Sequence, residues 1–146
     1  MEAKEQIKEL IEKYNKIVEE KKLKKYNEEM TKKKFIEPLF EALGWDMKSD
    51  DIALEEKVSK GRVDYSFRIN GIPKFFLEAK ALKIDLDDPK YIKQAINYAW
   101  HKGCTWAVLT DFEAVKIFNA EWKTSNPLQT HLKTIPYYEF LDRFEE

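Results

Sequence analysis

GRVDYSFRINGIPKFFLEAK, residues 61–80, reads as two strands and the turn between them. Val63, Tyr65, Phe67 and Ile69 alternate with Asp64, Ser66 and Arg68, the period-two pattern of a half-buried strand. Phe75, Leu77 and Ala79 alternate with Phe76, Glu78 and Lys80 in the same way. Asn70-Gly71 between the runs is a strong hairpin signal, because both residues tolerate the positive φ that a tight turn requires. A strict two-residue turn carried evenly into the ladder would set Asp64 opposite Leu77 and mix the apolar face with the polar one. A slip of one residue reverses every side chain. The alternation therefore predicts a three-residue or bulged loop, with Asp64 and Glu78 sharing one face and the apolar residues sharing the other.

The flanking sequence supplies the layers around this hairpin. Ile7, Leu10, Ile11, Tyr14, Ile17 and Val18 form one stripe of a helix over residues 3–25, better suited to packing on the domain than to a coiled coil of barely three heptads. A second helix is expected from Asn27, a suitable N-cap, to Leu43, with Gly44 ending it. Pro38 inside it should kink the helix or start a fresh turn. Strands are expected at about 52–58, 62–69 and 74–80. A helix at about 88–102 follows the acids and proline at Asp87-Asp88-Pro89. CTWAVLT, residues 104–110, is apolar enough to be a central, buried strand. Another strand is expected at 114–119, then a loop at 123–127 and a short helix at about 136–144. This order implies an α/β fold: a mixed central sheet of about five strands flanked by helices, with an N-terminal helical extension. The 146 residues fit one domain, divided as helix (1–26), core (27–120) and C-terminal loop and helix (121–146).

Composition narrows the setting. The one cysteine, Cys104, excludes an internal disulfide and fits a reducing, cytoplasmic compartment. The charged N-terminus lacks the apolar core of a signal peptide, and no apolar run approaches the ~20 residues of a membrane span. The net charge of −1 is unevenly spread: eleven Lys face eight acids up to Lys34, whereas two Lys face seven acids from Phe35 to Val58. A free-standing, tight nucleic-acid binder carries a larger basic excess, so much of any DNA affinity is expected to come from elsewhere in a larger protein.

The polar face of the hairpin carries chemistry. An Asp on one strand and Glu-x-Lys on the next bring two hard carboxylates and an ammonium to one place. Such a set suits Mg²⁺-assisted phosphodiester hydrolysis, in which the carboxylates hold the ion, the ion acidifies a water and the ammonium balances charge on the phosphate. Surface ion pairing is the alternative for each of Asp64, Glu78 and Lys80, and their matched parity favours the site.

These residues resemble the nuclease domain of the PD-(D/E)xK superfamily, in particular the N-terminal domain of type I restriction motor subunits and related fused type II restriction–modification enzymes. The matching string is ordered: Asn27-Glu28-x-x-Thr31, Phe35-Ile36-x-Pro38-Leu39-Phe40, Leu43-Gly44-Trp45-Asp46, Gly61 to Tyr65, Leu77-Glu78-Ala79-Lys80, Gln94-x-x-x-Tyr98-Ala99 and Trp106 to Asp111. Val63 stands where the motif's name has Pro, and Asp111 where relatives often show Asn before a Gly. The resemblance implies a restriction-endonuclease-like fold and Mg²⁺ as cofactor, with Mn²⁺ as a substitute. It implies double-stranded DNA as substrate, cut to 5′-phosphate and 3′-hydroxyl ends, and helicase, translocase or methyltransferase parts as partners. It also offers the Ala79 carbonyl as a backbone ligand beside Asp64 and Glu78, and Gln94 and Tyr98 as supports of the site or of the DNA backbone.

An acid from the early helix often joins such sites, and Glu28 and Glu37 compete for the role. At 100° per residue the stripe of Phe35, Ile36, Leu39, Phe40 and Leu43 centres nearer Glu28, so Glu28 is expected to face the sheet and Glu37 to face away. Glu28 is the candidate for a supporting metal ligand or a water-binding acid, and Lys32, one turn on, a candidate phosphate contact. Glu55 and Glu56 read as strand-surface residues, and His101 with Cys104 lacks a third partner for a metal site. The rival reading keeps the fold without the chemistry: a silent module that docks onto a motor or methyltransferase subunit.

Overall fold

The computed structural model describes residues 2–58, 61–101, 103–121 and 130–145. The side chains of 53–63, with Glu55, Glu56 and Val63 among them, and that of His101 lie outside the described set, as do Trp122 and the loop expected at 123–127.

Among the described residues six strands form one mixed sheet in the order in which the chain makes them: β1 (Ile52–Val58), β2 (Gly61–Ile69), β3 (Ile72–Ala79), β4 (Trp106–Thr110), β5 (Ala114–Asn119) and β6 (His131–Pro136). All neighbours are antiparallel except β3 and β4. That parallel pair needs a crossover, which α4 (Pro89–His101) provides. On the opposite face lie α1 (Ala3–Glu19), α2 (Glu28–Thr31) and α3 (Glu37–Ala42). The α/β class stands, with one strand more than expected. The extra strand is β6, in a stretch read as loop and helix. It is an edge strand with a half-exposed, polar sequence, so it carries little hydrophobic signal. Beyond it, a 3₁₀ turn at Tyr137–Glu139 stands in place of the expected helix.

The hairpin resolves its parity conflict in the ladder rather than in the turn. Asn70 (φ 53°) and Gly71 (φ 79°) make a two-residue turn, with Ile69 paired to Ile72 and Arg68 to Pro73. A bulge then leaves Lys74 without a partner in the ladder, and Phe67 pairs with Phe75, Ser66 with Phe76 and Tyr65 with Leu77. Continued one step, this register brings Asp64 level with Glu78.

Two cores result. Phe67, Leu77, Ala79 and Val108 join Ile7, Tyr14, Phe35 and Ile36 on one face. Phe67 anchors it, its ring stacked on Phe75 with centroids 4.4 Å apart. On the other face Phe76, Ala107, Leu109 and Phe118 pack against Ile92, Ala95 and Ala99 of α4. With both faces covered, β4 can be apolar along nearly its whole length, as its sequence suggested.

Asn27 caps α2 as expected, its Oδ1 accepting from the Met30 N–H at 2.9 Å. Gly44, at φ 108°, closes α3: its N–H donates to the Glu41 carbonyl and that of Trp45 to the Phe40 carbonyl, the Schellman pattern. Between α2 and α3 the chain does not stay α-helical. Lys32–Ile36 is a π segment, and Pro38 opens the fresh helix beyond it.

Tyr14 of α1 packs on Phe35, Phe112 and Tyr137 and donates its hydroxyl proton to Glu113 Oε2. That contact pins the N-terminal helix to the β4–β5 turn. In the turn, Asp111 Oδ1 accepts from the Glu113 N–H at 2.8 Å. Phe112 holds the left-handed conformation (φ 77°) that a glycine would adopt freely, kept there by a ring buried among Tyr14, Phe35 and Phe140.

Candidate active site

The site forms where β2 and β3 run out side by side, between the layer carrying α2 and the layer carrying α4. Alternation puts Asp64 and Glu78 on one face, and two hydrogen bonds lock them together. The Asp64 N–H donates to Glu78 Oε1 at 3.2 Å, and the Ala79 N–H donates to Asp64 Oδ2 at 2.8 Å. Glu78 is buried. Its burial, with the charge of Asp64 beside it, pushes its pKa up to about 8, against the pull of Lys80 and of the Asp64 N–H. Buried acids pushed toward neutrality beside a second acid cluster at functional sites and also occur in structural ion-pair networks.

Two ammonium groups approach this pair from opposite layers. Lys80 follows β3, its Nζ 3.9 Å from Glu78 Oε2 and 4.6 Å from the centre of the Tyr91 ring of α4. Its backbone N–H donates to the Thr110 carbonyl at 2.9 Å, fixing the end of β3 against β4. Lys32 arrives from the π segment, its Nζ donating to Asp64 Oδ1 at 2.8 Å. Glu29 lies 3.4 Å and Glu28 3.6 Å from the same Nζ. Burial works to lower the Lys32 pKa, but the hydrogen bond and charge of Asp64, with Glu28 and Glu29 behind it, outweigh that and hold it above its ordinary value.

The structure thus brings Asp64, Glu78, Lys80 and Lys32 together. Glu28 Oε1 lies 3.6 Å from Lys32 Nζ, which in turn lies 2.8 Å from Asp64 Oδ1, so Glu28 faces the pair across that ammonium. The expected facing of the helix acids is corrected. Glu37 is the less exposed, its side chain 18 % accessible against 44 % for Glu28, and it accepts a 2.7 Å hydrogen bond from the hydroxyl of Tyr65 on β2. The π segment between them takes more residues per turn than an α-helix, so a constant 100° step loses phase across it.

On α4, Gln94 Nε2 donates to the Tyr98 hydroxyl at 2.8 Å, and Tyr98 is buried in the second core. Tyr91, absent from the sequence reading, touches the site most directly from this helix. Its spacing of three and seven residues before Gln94 and Tyr98 was the available signal.

A family model described as "Type I restriction enzyme R protein N terminus" matches residues 52–126, just over half of the chain. The chain belongs to this family of restriction-enzyme N-termini. The matched span carries Asp64, Glu78, Lys80, Gln94 and Tyr98, whereas Glu28 and Lys32 precede it. Among curated proteins, the chain is 29 % identical over 164 aligned positions to the type II restriction enzyme and methyltransferase RM.Eco57I of Escherichia coli. That alignment takes in 100 % of this chain and 16 % of the relative, so the chain spans about a sixth of the relative's length. No solved structure matches it. Among the described residues no helix is long and apolar enough to cross a membrane.

Proposed function

We propose that the chain is the DNA-cutting domain of a restriction system, a divalent-cation-dependent endonuclease acting on double-stranded DNA. The observation that carries this reading is the Asp64–Glu78 pair: two carboxylates held side by side by backbone N–H groups, one of them buried at a cost in ionisation. Hard carboxylate oxygens in that arrangement fit Mg²⁺ or Mn²⁺, with Asp64, Glu78 and the Ala79 carbonyl as the residues that would hold it. When bound, such an ion supplies Lewis-acid polarisation of a phosphate and a more acidic water.

The chain's own groups supply the rest. Lys80, steadied against Tyr91, donates to the phosphate oxygens as negative charge grows on them. Gln94 and Tyr98, joined by their hydrogen bond, brace the α4 surface beside it. Among the described residues no recognition helix or basic arm lies beside these groups, so sequence preference is assigned to parts outside this chain. Methyltransferase parts, of the kind named in the relative, or helicase parts would deliver the DNA.

The test is nicking of supercoiled plasmid in Mn²⁺ by the wild type, Asp64→Ala and Lys80→Ala, with Mn²⁺ binding followed calorimetrically. Asp64→Ala should lose both. Lys80→Ala should keep binding and lose roughly 10²- to 10³-fold in nicking. A folded wild type that binds no divalent ion at millimolar concentration would demote the chain to a docking module on a nuclease fold.

A further inference from the structure

Both oxygens of Asp64 are engaged by the protein's own donors: Oδ2 by the Ala79 N–H and Oδ1 by the Lys32 ammonium. The second contact sets a cation where a divalent ion would have to approach. Lys32 is no surface residue; its side chain is only 8 % accessible, and it lies where α2 gives way to the π segment. Inserted π turns concentrate at functional positions, and this one ends just before Glu37, which Tyr65 ties to β2.

We propose that Lys32 is a built-in cation that closes the Asp64 position until a divalent ion displaces it, and that the displaced ammonium then serves the DNA backbone. This inference rests on the nuclease reading above. Three features support it. The ammonium and a divalent ion on Asp64 would be like charges only a few ångströms apart, so the two occupancies oppose each other. Lys32 also has somewhere to go, because Glu29 and Glu28 already lie within 3.6 Å of its Nζ. Finally, those two acids are more exposed than Asp64, so the shift carries the ammonium outward, toward where a phosphate backbone would lie. Metal and DNA would then assist each other: a phosphate that draws Lys32 away leaves Asp64 free, and a metal on Asp64 leaves Lys32 for the phosphate.

The experiment is a calorimetric titration of the whole chain with MnCl₂, with and without a short DNA duplex. It compares wild type, Lys32→Met and Lys32→Arg, with folding checked by circular dichroism. Lys32→Met should bind Mn²⁺ about tenfold more tightly or better without DNA, a gain set by the removed like charge. In the wild type DNA should tighten Mn²⁺ binding, and in Lys32→Met that assistance should shrink. Lys32→Arg, which keeps the charge, should resemble the wild type. If Lys32→Met does not fold, Lys32→Gln takes its place. Equal or weaker Mn²⁺ binding by Lys32→Met, with binding still lost in Asp64→Ala, would overturn the Lys32 proposal and leave the metal site standing. No Mn²⁺ binding by wild type or variant would overturn both.

Discussion

Replacing Glu78 with Gln should stabilise the metal-free protein, and increasingly so as pH rises. The folded state holds the Glu78 proton at about 8, whereas the unfolded chain releases it near the ordinary 4.5. A raised pKa means that the associated stability is complete below about pH 4.5 and is lost as pH climbs toward 8. Each pH unit across that window is worth about 1.4 kcal/mol. The wild type should therefore have lost on the order of 3 kcal/mol by pH 7 and about 5 kcal/mol above pH 8, from this group alone. Gln has nearly the same shape, keeps an oxygen to accept the Asp64 N–H, and never ionises. Glu78→Gln should then melt about 10 °C above the wild type at pH 7 in chelator, for a domain of this size. Near pH 4.5 the two should nearly coincide. The buried Asp111, also raised by its burial and by sharing a proton with Glu113, is common to both proteins and cancels in the comparison. Thermal and urea melts at several pH values read this directly. Saturating Mn²⁺ should close the gap by selectively stabilising the wild type, by about 2.7 kcal/mol at a hundredfold excess over Kd. A gain independent of pH, or none at pH 8, would mean that Glu78 ionises without strain at its site.

Three further outcomes follow from the packing. Phe67→Ala opens a cavity in the centre of the first core and should cost about 3–5 kcal/mol in urea unfolding, with the stack on Phe75 lost. Tyr65→Phe removes the donor to Glu37 and should cost about 1–2 kcal/mol in the same assay, while Mn²⁺ affinity stays as it was. Tyr14→Phe cuts the tie between α1 and Glu113, so amide protection in α1 should fall in hydrogen exchange while protection in β3 and β4 holds.

Much of this architecture is legible from the chain, and the exceptions have physical causes. Strict alternation around Asp64 and Glu78 was enough to require an extra residue in the hairpin, since either face assignment alone would have buried a carboxylate on the wrong side. Where the extra residue sits was not legible: Asn70-Gly71 favours the tightest turn so strongly that the irregularity moved to Lys74. The helix acids were misjudged because an angular projection assumes one helical period, and the π segment at Lys32–Ile36 breaks it. That same segment brings Lys32 to Asp64, a contact between residues 32 positions apart that no local pattern encodes. The last strand was missed because an edge strand with polar faces lacks the periodicity that reveals its buried neighbours.

The most direct test of the metal site is an anomalous difference map from crystals of the protein grown with Mn²⁺. One peak is expected beside the Asp64 and Glu78 carboxylates, with Lys32 Nζ withdrawn from Asp64 toward Glu28 and Glu29. A map with no peak at saturating Mn²⁺, and Lys32 still hydrogen-bonded to Asp64, would contradict it.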